Sequence, residues 1–143
     1  MVCIFVILFS QQAVNMVYAT PRRFTRVNFN QPVRLDFGDK QYEQEFIRTL
    51  SLAGMYVTGH FEQQVGDACT IEMSQPGGTG KINLRAKGSV VRVHDDGIAI
   101  DFTSMHQDSL LFLQTILLYA ADDPTVLCSE FVKNICFNLE EEE

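Results

Sequence analysis

Between Val27 and Phe102 the chain is built of short stretches of alternating apolar residues cut by turn signals, and beyond Ser104 the period changes to that of a helix. A period of two puts successive side chains on opposite faces of an extended chain, so each stretch reads as a strand with one face against a core. Val27, Phe29, Val33, Leu35 and Phe37 share one parity, with Gln31-Pro32 marking an edge or a bend. Gly38-Asp39-Lys40 turns the chain into a second strand over Tyr42 to Leu50, and Gly54 opens a third through Met55 and Val57. Gln63 to Asp67 is the next turn, Ala68 to Met73 the fourth strand, and Pro76 to Gly80 a flexible hairpin loop. Ile82, Leu84 and Ala86 alternate in the fifth strand, whereas Val91 and Val93 take the other parity, which predicts a bulge at Gly88-Ser89. Asp95-Asp96-Gly97 is a tight-turn signal, and Ile98, Ile100 and Phe102 form the returning sixth strand.

Ser104 and Gln107 have the spacing of a capping box and predict a helix from about Met105 to Ala121. Leu110, Leu113, Leu117 and Ala120 make one stripe, and Leu111, Phe112, Ile116 and Leu118 broaden it almost around the helix. So much apolar surface predicts cover from the open end of a barrel together with a second chain, giving a homodimer, or the N-terminal apolar segment. Asp122-Asp123-Pro124 ends this helix, and a shorter one follows from Thr125 to about Ile135. The expected fold is mainly β: a six-stranded antiparallel β-barrel with C-terminal α-helices. A length of 143 residues with 46% apolar content suits one core.

A net charge of −7 and a pI near 4.9 argue against a binder of nucleic-acid polymers, whose affinity rests on neutralising many phosphates. Cys3, Cys69, Cys128 and Cys136 form no C-x-x-C pair and read as reduced core thiols of a cytoplasmic protein. His60, His94 and His106 are equally scattered, so no metal-ligand spacing is present and no metal is expected. Gly80-Lys81 fails the phosphate-loop pattern, because Gln75 holds the first glycine position and Ile82 follows the lysine. No paired carboxylates and no nucleophile with a base can be assembled, so no enzyme and no cofactor are expected. Glu43, Glu45 and Arg48 read as the solvent-facing alternation of a strand, and Glu140 to Glu143 as a solvated tail. Residues 1–19 admit three readings: a start nearer Met16, an extra element packed on the domain, or a signal peptide ending at Val17-Tyr18-Ala19. The apolar run Val2 to Phe9 is too short to span a bilayer, so a membrane partner is not expected.

The stretch from Pro21 to Val33 reverses the sign of the chain, with three arginines, Arg22, Arg23 and Arg26, and no acid. A guanidinium presents two parallel N–H donors that match the O6 and N7 acceptors of guanine, so two arginines can read two guanines beside two phosphates. Arg22 and Arg26 form R-x-x-x-R, and Thr49, Ser51 and Gly54 form x-x-S-x-x-G about two strands later. This pair of motifs resembles the PilZ family of bacterial cyclic di-GMP receptors, in which the second motif usually begins with Asp or Asn. The resemblance covers Thr20 to about Asp123, between an N-terminal extension at 1–19 and a C-terminal helix and acidic tail at 124–143. It implies a six-stranded split barrel closed by a helix, a non-enzymatic function, and cyclic di-GMP as ligand. It also implies that Arg22 and Arg26 grip the bases while Thr49 and Ser51 line the opposite wall. Arg23 adds charge for a second ligand molecule or faces solvent. Gly54 permits close backbone approach or a positive φ. Ordering of the arginine segment by the ligand would alter the surface met by a protein partner. Thr49 offers one hydroxyl where Asp or Asn offers a carbonyl-type acceptor, so weaker binding, a changed preference such as cyclic GMP-AMP, or a pure protein-interaction module all follow as alternatives.

Overall fold

The computed structural model describes residues 24–74 and 82–133 together with a short strand at 138–140. The loop at Pro76 to Gly80, the segment 1–19, Arg22 and Arg23 lie outside the described residues. Eight strands are described: β1 (Val27–Asn28), β2 (Pro32–Asp36), β3 (Gln41–Leu50), β4 (Gly54–Thr58), β5 (Ala68–Ser74), β6 (Ile82–His94), β7 (Gly97–His106) and β8 (Asn138–Glu140). The order β3-β2-β5-β6-β7-β4 closes through antiparallel pairing of β3 with β4, giving the expected six-stranded barrel. Two helices follow it, α1 (Gln107–Ala120) and α2 (Pro124–Lys133).

The expected first strand is split. β1 and β2 both pair with β3, but Phe29 to Gln31 breaks the ladder between them. Pro32 has no N–H to give, and the pairing resumes with Ile47 N–H donating to the Gln31 carbonyl at 2.9 Å. The turn after β2 uses Gly38 at φ 93°, a conformation open to glycine, and the Asp36 carboxylate caps its N–H at 2.8 Å.

Alternation delivers the core. Val33, Leu35, Ile47, Val57, Ile71, Leu84, Ile98 and Ile100 all point inward and are buried. Truncating one of these to Ala removes about 2–5 kcal/mol of stability through lost contacts and a residual cavity. The predicted change of parity in β6 does not occur. Leu84, Ala86 and Val90 stay inward, while Val91 is half-buried and Val93 is exposed at 40%. Two register shifts against β7 stand in its place, one at Lys87/Gly88 and one at Val90/Arg92, where Val91 is the extra residue. Such a shift adds twist without turning the strand over.

The capping box is also corrected. β7 continues to His106, so Ser104 is a buried strand residue, and the helix starts at Gln107 with His106 as an N-cap that makes no side-chain capping bond. Ser109 ties the helix to the barrel instead, its Oγ accepting the Arg85 N–H at 3.0 Å. Leu110, Leu113 and Leu117 are buried against the barrel. Helix α2 packs on α1, and its Leu127 and Phe131 are buried, while Leu111, Phe112, Ile116 and Leu118 of the wide apolar band are half-buried. The tail is corrected as well, since Glu140 ends β8, a strand parallel to β7 through Ser104↔Asn138. No described helix is long and apolar enough to cross a membrane.

Of the two described cysteines, both expected in the core, one is there and the other is not. Cys69 is buried in the core, where desolvation first and Asp36 second push its pKa up to about 12, whereas Cys128 is exposed on α2. The thiolate is the reactive form. At pH 8, peptide-resolved alkylation should therefore modify Cys128 in the folded protein and reach Cys69 only after denaturation.

Candidate ligand-binding site

The site is set by the turn between β3 and β4. Ser51 N–H donates to the Gly54 carbonyl at 2.9 Å, and Ser51 Oγ accepts the N–H groups of Ala53 and Gly54 at 3.2 and 3.3 Å. The hydroxyl is thus turned into its own loop, and Ser51 is buried. The loop rests on β7, where the Phe102 N–H donates to the Ala53 carbonyl at 2.8 Å. Gly54 crosses the β7 backbone so closely that a Cβ would collide with the Ile100 carbonyl and stand 2.9 Å from Asp101 Cα. Of the two expected reasons for a glycine here, close approach is the one observed; Gly54 is not among the positive-φ glycines.

Cross-strand register then builds an outer surface. Thr49 pairs with Tyr56, Tyr56 with Ala99, and Ala99 with Arg92, which puts one row across β3, β4, β7 and β6. The next row joins Gly54 to Asp101 and Asp101 to Ser89. Two small residues, Gly54 and Ala99, leave a depression in this surface. Ala99 is only 6% exposed although its side chain stands outside the core cluster. Phe24 and Arg26 rise beside it from the segment preceding β1, and the result is a cleft of about 720 Å³. Arg26, Thr49, Ser51 and Gly54, the four expected site residues within the described chain, all line this cleft.

Sequence reading missed Phe24, Tyr56, Arg92, Ala99 and Asp101, which line it too. Arg92 and Asp101 occupy outward positions of ordinary alternating strands, so only the register shows that they face the same space as Thr49. Asp101 is influenced by both arginines: desolvation pushes its pKa up, opposed by the positive charges of Arg92 and Arg26. Tyr56 is braced. Its hydroxyl donates to Asp96 Oδ1, and the Arg48 guanidinium lies 4.9 Å from its ring centroid while pairing with Asp96 at 3.0 Å. Arg48 and Asp96, expected to be a solvent-facing residue and a turn residue, together fix the aromatic wall of the cleft. The Tyr56 hydrogen bond is the main cause, with Arg48 second, of an Asp96 pKa held below the usual carboxylate range.

The arginine segment is anchored from another side. Thr25, inside R-x-x-x-R, donates its backbone N–H to both oxygens of Glu130 on α2 at 3.1 and 3.0 Å, and its hydroxyl donates to Glu130 Oε2. Arg26 is therefore held beside the cleft by the C-terminal helix. Among the described residues no group of three or more His, Cys, Asp or Glu could hold a metal ion.

The sequence matches the PilZ domain over residues 20–119. The chain belongs to the PilZ domain family. That family is one of cyclic di-GMP receptor domains and not a catalytic one. Among solved structures, the PilZ barrel resembles the Bacillus subtilis inhibitor of motility MotI (DgrA), with a TM-score of 0.58 and 11% identity over 70% of this chain. The match takes in 51% of MotI, so this chain spans about half the length of that relative. It also resembles the PilZ domain of Escherichia coli YcgR, determined with c-di-GMP, with a TM-score of 0.54 and 16% identity over 71% of this chain and 92% of that one. At these identities the likeness is one of fold. No curated protein sequence is a significant match.

Gly54 and Ser51 hold the PilZ cleft open in different ways, and their variants should separate in denaturant. Gly54→Ala forces the β3–β4 loop off β7 and is expected to lower unfolding stability by about 1–3 kcal/mol. Ser51→Ala loses only local turn bonds and should lower it by about 1 kcal/mol.

Proposed function

We propose that this chain is a non-enzymatic receptor for cyclic di-GMP, acting in the cytoplasm, that binds the dinucleotide in the cleft over β4 and β7. The observation that carries this reading is the convergence of Arg26 with Thr49, Ser51 and Gly54 on one cleft, although 22 to 27 positions separate Arg26 from the other three. A volume of about 720 Å³ is of the size that small-molecule ligands occupy. Arg26 and Arg92 supply positive charge where the chain as a whole carries −7, and Tyr56 supplies an aromatic face. In this reading Arg22 and Arg26 grip the guanines, Arg23 adds charge at the mouth, Thr49 lines the wall, and Ser51 acts through the turn it holds.

The Glu130 tether refines how the signal would leave the site. Because Thr25 is bound to α2, the ligand would order Arg22 and Arg23 onto a segment whose end is already placed. Movement of that segment would then pass to α2, whose exposed Val126 and Val132 offer a surface to a protein partner or to a second copy. YcgR is a relative whose PilZ domain was determined with this ligand, and the family is one of receptors for it.

Calorimetric titration with cyclic di-GMP tests the reading. Arg26→Ala should weaken binding by tenfold or more through loss of a charge-assisted contact. Glu130→Ala should weaken it severalfold while leaving the heat signature of a single site. Thr49 favours one rival, a barrel that binds a protein and no nucleotide. A blank titration at high dinucleotide concentration would select that rival.

A further inference from the structure

A guanine has two edges to satisfy. Arginines match O6 and N7, but N1–H and the 2-amino group are donors and need acceptors within the same cleft. Thr49 offers one hydroxyl, and the Ser51 hydroxyl already accepts two backbone N–H groups. Among the described residues lining the cleft, Asp101 is the one carboxylate. It stands on the outer face of β7, directly opposite Gly54, where no side chain intervenes.

We propose that Asp101 is the specificity-determining residue of this site, its two carboxylate oxygens accepting from N1–H and the 2-amino group of one guanine. The inference rests on the cyclic di-GMP reading and names the group that makes the cleft choose guanine. Two parallel acceptors face two parallel donors, a match that adenine cannot make because its N1 is an acceptor. The placement of Asp101 within the fields of Arg92 and Arg26 limits its repulsion of the ligand phosphates. Asp101 keeps solvent exposure, and its carboxylate makes no hydrogen bond to another described side chain. Its partial desolvation strengthens a charge-assisted bond made there.

The test compares cyclic di-GMP with cyclic di-inosine monophosphate, which lacks only the 2-amino groups, on the full chain and on Asp101→Ala. The wild-type chain should bind cyclic di-GMP about tenfold or more tightly than the inosine analogue, as expected for a hydrogen bond to a charged group. Asp101→Ala should bind the two with equal affinity, weaker than that of the wild type for the analogue, which still offers its N1–H to the carboxylate. Since Asp101 points outward, the variant should retain the wild-type unfolding midpoint. An unchanged guanine-to-inosine ratio in Asp101→Ala overturns the proposal, as does tighter cyclic di-GMP binding by the variant, the sign of a carboxylate that only repels phosphate. A wild-type chain that binds neither dinucleotide overturns the receptor reading itself, an outcome distinct from both.

Discussion

The crossing of Gly54 over the β7 backbone is the contact on which both the barrel and the cleft depend. β3 and β4 close the barrel only if their connecting loop can lie on β7, and there the chain has no room for a Cβ against the Ile100 carbonyl. The same absence of a side chain leaves the outer face open above Asp101. One steric requirement thus closes the sheet on the inside and makes a hollow on the outside. Ser51 serves it by holding the loop with its own hydroxyl.

Those walls contrast with the rest of the barrel exterior. Across β3, β2, β5 and β6 the outward charges neutralise one another, with Arg34 against Glu43 and Glu72, and Arg85 against Glu72. Such exposed pairs add little stability, about 0–1 kcal/mol each. Among the described residues lining the cleft two arginines meet one carboxylate, so an anion finds a positive surface on an acidic protein. The Arg48–Asp96 pair has a different task, holding the Tyr56 ring in one orientation beside that surface.

How much of this could be read from the residues follows from what each signal encodes. The alternation of Val33, Leu35, Ile47, Val57, Ile71 and Ile98 specified strands and their inner faces, and the two short motifs marked Arg26, Thr49, Ser51 and Gly54 as members of one site. Pairing register was not legible, because it depends on bulges that shift single residues. The extra Val91 in β6 is such a case, and its apparent change of parity suggested a bulge at Gly88-Ser89. Arg92 and Asp101 escaped notice for the same reason, since an outward polar residue looks alike whether it faces solvent or a ligand. The box at Ser104 misled because β7 runs four residues beyond Phe102, where the apolar alternation ends, and strand pairing with β6 outweighs a local capping preference. The tether from Glu130 to Thr25 joins distant parts of the chain, and no local pattern encodes it.

The helix that carries Glu130 gives the cleft a route to the rest of the molecule. A ligand held by the segment around Arg26 and by the β4–β7 face is in contact, through Thr25, with α2. The central claim is that the outer surface over β4 and β7 is where a cyclic dinucleotide binds. Backbone amide NMR of the full chain titrated with cyclic di-GMP tests it most directly. Shifts should concentrate at Arg26, Thr49, Gly54, Ala99 and Asp101, with a weaker response at Glu130. Saturable shifts confined to another face of the barrel, or none at millimolar ligand, would contradict it.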